Sequence, residues 1–158
     1  RTSNRKTKGD NWSTSETTDR QKYVPHLAVA GKLMAANEEG FGHAFYDRLF
    51  VDAPQLRPLF AGKDMNVLAL NFAQVPLMAW KMIQLPTKSK LMEQMKELAL
   101  RHLDYGAGPG QSKVFGKVLV KSISRFVIRE GGDWNRKAAT AWKWLYTVIS
   151  KLLFRQME

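Results

Sequence analysis

The chain has 158 residues, 44% of them hydrophobic, with eight Phe, five Trp and four Tyr, which suits one domain with a sizeable core and excludes a disordered polymer. It has no cysteine, which excludes disulfides, thiolate metal sites, iron–sulfur clusters and cysteine nucleophiles. The net charge of +11 invites nucleic acid, acidic lipid or an acidic partner, but Lys and Arg are spread along the chain. The charge therefore reads as a solvated basic surface, and no nucleic acid is expected. No apolar stretch reaches the roughly 18–20 residues of a membrane span, and the polar N-terminus does not resemble a signal peptide. An intracellular, cytoplasmic protein is expected, and the start at Arg1 suggests a piece of a longer chain.

Residues 1–22 are rich in Ser, Thr and Lys and read as a flexible tail, with a globular domain over 23–158. From there the apolar spacing is helical almost throughout. Leu27, Ala30, Leu33 and Met34 predict a helix over 26–37. Phe41, Phe45, Leu49 and Phe50 predict a second over 38–50. Pro54 opens a short helical turn ending at Phe60. Residues 65–84 are apolar and long, with Pro76 expected to kink or restart the helix. Residues 90–103 are amphipathic, with Leu91, Met95, Leu98 and His102 on one face. A stop at Gly106, Gly108, Pro109 and Gly110 precedes a helix over 111–128. Gly131 and Gly132 end it, and Asn135 is placed to cap a last helix running to about 155. The fold class is all-α, with seven or eight helices in one domain.

His102 is the most informative residue. It lies near the end of an amphipathic helix, followed by Tyr105 and Gly106 and then a long helix. The run Phe45-Tyr46-Asp47-Arg48-Leu49-Phe50, continuing through Pro54, Leu56 and Pro58 to Phe60, resembles the second and third helices of a globin. Leu98, Arg101, His102, Tyr105 and Gly106 resemble its proximal-histidine helix. Val114-Phe115-Gly116 to Leu119 resemble the next helix, and Ala141, Trp142 and Tyr146 the last. The four motifs occur in order over residues 26–154. The likeness is to single-domain globins of bacterial, neuroglobin-like and protist type.

The resemblance implies a globin fold around a haem pocket, with haem b as cofactor and His102 as the iron ligand. Phe60, Leu70, Val75, Leu98, Phe115, Leu119 and Tyr146 are candidates to line the pocket, and Arg101 or Lys81 to meet the propionates. No histidine lies in 65–84, so the distal position falls on Leu70, Asn71 or Gln74 according to register. Tyr46 with Gln74 fits a known distal pairing. His43 lies one turn before Tyr46 and is expected to point away. The implied function is reversible binding of dioxygen, and of CO or NO, as an oxygen carrier, an NO binder or a gas-sensor module. The alternatives are an NO dioxygenase or peroxidase supplied by a reductase, and a haem-free signalling domain. The methionines Met78, Met82, Met92 and Met95 read as packing.

Overall fold

The computed structural model describes residues 10–104 and 112–156, with side chains for 10–101 and 112–155. These residues form seven α-helices and two 3-10 helices, with no strand among them. The order is α1 (Thr14–Tyr23), a 3-10 turn (Val24–His26), α2 (Ala28–Ala36), α3 (Glu38–Asp52), a second 3-10 turn (Pro54–Phe60), α4 (Met65–Met82), α5 (Ser89–Asp104), α6 (Ser112–Arg129) and α7 (Arg136–Gln156). All but α1 and the 3-10 turn at Val24–His26 fall where the apolar periodicity predicts them, within two residues at each bound.

The chain marks its own helix starts. Asn37 accepts the Gly40 N–H at 3.0 Å and opens α3. Asp64 accepts the N–H groups of Asn66 and Val67 and opens α4. Asn135 accepts the Ala138 N–H at 2.8 Å, as expected of the last helix's cap. Pro76 is buried inside α4, which runs through it as one element, so the helix does not restart there. The missing Pro76 N–H costs one ladder bond, which tertiary packing of the helix offsets.

Helix α3 is the hub. It packs chiefly on α4 and α6, while α7 packs on α5 and α6. Phe41, Phe45, Tyr46 and Leu49 of α3 are buried, and Phe41 meets Phe126 of α6 edge-on with ring centroids 5.6 Å apart. At the C-terminal end of α3, Arg48 bonds Asp52, which also takes Lys121 of α6 at 3.1 Å. The Arg48 hydrogen bond, with Lys121 beside it, holds the Asp52 carboxyl below the usual range despite some desolvation.

The flexible tail expected over 1–22 does not extend to residues 10–22. Ser13 and Glu16 form a reciprocal capping box that starts α1. The Trp12 indole donates to the Leu85 carbonyl at 2.8 Å. Arg20 donates through Nε to the Ile83 carbonyl and through Nη2 to that of Leu85, both at 2.8 Å. The Arg20 guanidinium sits 4.4 Å from the Trp12 ring centroid, and Lys88 pairs with Glu16 at 3.1 Å. Helix α1 buries no residue fully, which is why its composition reads as a tail. It is held by polar bonds to carbonyls at and just beyond the end of α4, groups that lack helical partners of their own.

Candidate functional site

An aromatic cluster gathers around Tyr46, which is 9% exposed. Phe60 approaches the Tyr46 ring edge-on at 5.4 Å and 67°, and Phe72 does so at 5.8 Å and 66°. Phe45 stacks flat on Phe72 at 3.7 Å and 14°. Each such pair contributes about 0.5–1.5 kcal/mol beyond its buried area. Three elements build the cluster. Helix α3 presents Phe45 and Tyr46 in succession, the proline-opened turn folds Phe60 back onto Tyr46, and α4 supplies Phe72. Beside Phe60 opens a cavity of about 550 Å³, lined also by Phe50, Met65 and Arg57, whose guanidinium lies 4.6 Å from the Phe50 ring centroid.

The face that α4 turns inward corrects the sequence-based register. Ala69, Ala73 and Pro76 are buried, and Met65, Leu68, Phe72 and Val75 pack half-buried against the core. Leu70, Asn71 and Gln74 are exposed. Gln74 donates to the Glu38 carboxylate at 2.7 Å and to the Leu70 carbonyl at 3.2 Å, so the expected Tyr46–Gln74 pair does not form. The reason is the small-residue pair Ala69 and Ala73, four apart, which seats α4 on α3 and rotates 70, 71 and 74 outward. Phe72 and Leu68, absent from the expected pocket, are the residues of α4 nearest this role. Their signal was the i, i+4 pair Leu68 and Phe72 beside the alanines.

Of the other candidates, Leu98 and Leu119 are buried and Val75 and Phe115 half-buried, whereas Lys81 and Arg101 are exposed. Tyr146 is committed elsewhere: its hydroxyl donates to the Ser112 carbonyl at 2.6 Å, and its ring covers Gly116. It therefore locks α7 to α6 rather than facing α4. His43 Nε2 lies 2.8 Å from Asn66 Oδ1 on an exposed contact. Met78, Met82 and Met92 are half-buried and Met95 is buried, as packing residues are. His102 lies in the last turn of α5, and its side chain lies outside the described residues, as do Tyr105 and Gly106.

This architecture, with a proline-opened 3-10 turn between two helices that cross closely, is the globin fold. It matches the structure of a bacterial globin from Campylobacter jejuni with a TM-score of 0.65, covering 92% of this chain and 96% of that one at 21% identity. The sequence model of the Globin family matches residues 43–153, and the chain belongs to the globin family.

Globins typically hold a haem, and the residues here fit one. Helix α4 leans on α3 and α5 on α7, while among the described residues α4 and α5 make little contact with each other. Helix α4 carries a half-buried apolar stripe, as a flat hydrophobic group requires, and α5 carries a histidine, the donor that haem iron takes.

Proposed function

We propose that this chain is a haem b protein that reversibly binds dioxygen and other diatomic gases, with His102 as the axial ligand. The observation that carries the reading is the Tyr46 cluster: a phenol nine-tenths buried among Phe45, Phe60 and Phe72, in a member of the globin family. Haem, if held by His102, would supply an iron able to take up a diatomic gas. This chain's own contribution is the environment. Phe60, Leu68 and Phe72 exclude water, and Leu98, Phe115 and Leu119 supply further apolar surface on α5 and α6. Tyr46 brings a hydroxyl donor, in an apolar setting where a hydrogen bond to a polarised acceptor contributes about 1.5–3 kcal/mol.

The absorption spectrum of the protein reconstituted with haemin tests this. A Soret band in the wild-type protein that His102→Ala shifts or loses supports the reading. A protein that takes up no haemin, or a His102→Ala variant with an unaltered spectrum, overturns it. Adding carbon monoxide to the reduced protein tests gas binding separately from cofactor binding.

A further inference from the structure

We propose that the face formed by α6 and α7 is a docking surface for an acidic amphipathic helix of a partner protein. The net charge is not evenly shared. Residues 10–111 carry eleven basic and eleven acidic residues, whereas residues 112–156 carry ten basic and two acidic. Most of the excess within the described residues is thus gathered on two adjacent helices.

Between those helices runs a groove of about 730 Å³. Lys113 and Lys117 stand one turn apart on the α6 side, and Lys143 and Lys151 two turns apart on the α7 side. All four are exposed, and none makes an ion pair with another described residue. The lining includes no carboxylate among the described residues. Its apolar members are Val120, Tyr146 and Phe154. Tyr146 is fixed there, because its hydroxyl is tied to Ser112 and its ring lies where a Cβ on residue 116 would stand, 2.7 Å from Cε2. Gly116 is what lets the ring settle onto α6.

An apolar floor between two rows of unpaired ammonium groups is the complement of a helix with leucine-type residues on one face and carboxylates along its flanks. A second copy of this chain is disfavoured, since a two-fold interface would set lysines against lysines. A duplex or a bilayer would use the charge but not the concave apolar floor. The proposal is independent of the haem reading, because the lining of this groove shares no residue with the Tyr46 cluster.

The test is binding of a labelled synthetic peptide with leucine at helical spacing and glutamate elsewhere, followed by anisotropy at moderate ionic strength. A scrambled peptide of equal composition, a DNA duplex and phosphatidylserine vesicles are compared with it. Reversal of the four lysines (Lys113→Glu, Lys117→Glu, Lys143→Glu, Lys151→Glu) is expected to weaken peptide binding about tenfold or more. Reversal of four exposed lysines elsewhere (Lys22, Lys32, Lys90 and Lys96, each to Glu) matches the change in net charge and is expected to leave most of the binding. Far-ultraviolet circular dichroism confirms that both variants remain folded. Equal loss in both variants, equal binding of the scrambled peptide, or tighter binding of the duplex or the vesicles would each overturn the proposal.

Discussion

Gly42 of α3 and Ala69 of α4 meet backbone against backbone: a Cβ built on Gly42 would overlap the Ala69 carbonyl. This contact sets how closely the two helices cross, and so how Phe45 comes to lie flat on Phe72 one turn further along each helix. Gly42→Ala therefore gains helix propensity but forces the crossing apart. A net loss of about 2 kcal/mol or more is expected in urea unfolding, with a lowered midpoint and little change in slope. A midpoint equal to the wild type would contradict the close crossing.

If Tyr46 is the donor to a bound gas, Tyr46→Phe removes one hydroxyl and little volume. The dioxygen dissociation rate of the reconstituted protein is then expected to rise about tenfold or more. Gln74→Leu is expected to leave that rate within about twofold, because Gln74 is occupied by Glu38 at the surface. Flow measurements on the two variants separate the sites, and acceleration by Gln74→Leu alone would reverse the assignment.

Trp12→Ala removes an indole that bonds the Leu85 carbonyl and underlies the Arg20 guanidinium. Faster amide hydrogen exchange is expected in α1 and at Lys88, whose N–H donates to the Asp10 carbonyl. The amides of α3 and α6 should exchange as in the wild type. Acceleration spread evenly over the chain would show that α1 is not a separable unit.

The same attachment should respond to acid. Burial alone would raise the Glu16 carboxyl, but the Ser13 N–H and Lys88 outweigh it and hold the group below its ordinary value of about 4.3. A depressed folded-state pKa means that the stabilisation is present above the unfolded value and lost as pH falls through the folded one. Exchange in α1, corrected for the intrinsic pH dependence of amide exchange, should accelerate in the wild type as pH falls below the ordinary carboxylate value of about 4.3. In Glu16→Gln it should start faster and vary less with acid. A wild-type profile parallel to that of the variant would remove Glu16 from the account.

The parts that were legible in the sequence share one physical basis: they depend on local signals. Pro54, Asn135 and the period of Leu91, Met95 and Leu98 mark elements through neighbours within a turn or two. Two parts were not legible. On α4 the polar residues Asn66, Asn71, Gln74 and Lys81 do fall on the exposed side, but they are four among eighteen, and the seat on another helix rests on the small residues Ala69 and Ala73, which carry no polar signal. Helix α1 is attached through main-chain acceptors at 83 and 85, which are the same atoms whatever side chains stand there. Tyr146 illustrates a third limit, for an aromatic on the inner half of a last helix has the same spacing whether it faces a cofactor or a glycine one helix away.

Because Trp12 and Arg20 grasp peptide oxygens rather than side groups, the clasp itself does not depend on which side chains stand at 83 and 85, and Ile83 answers only to the core that buries it. The drawback falls on the other partner. Trimming the protein to Tyr23, where its chemical character changes, would leave every globin signature in place. It would also strip the latch from the corner that joins the helix bearing Phe72 to the helix bearing His102. Such a shortened protein would pass any inspection by motif and still differ in how firmly those two helices are held at their shared end.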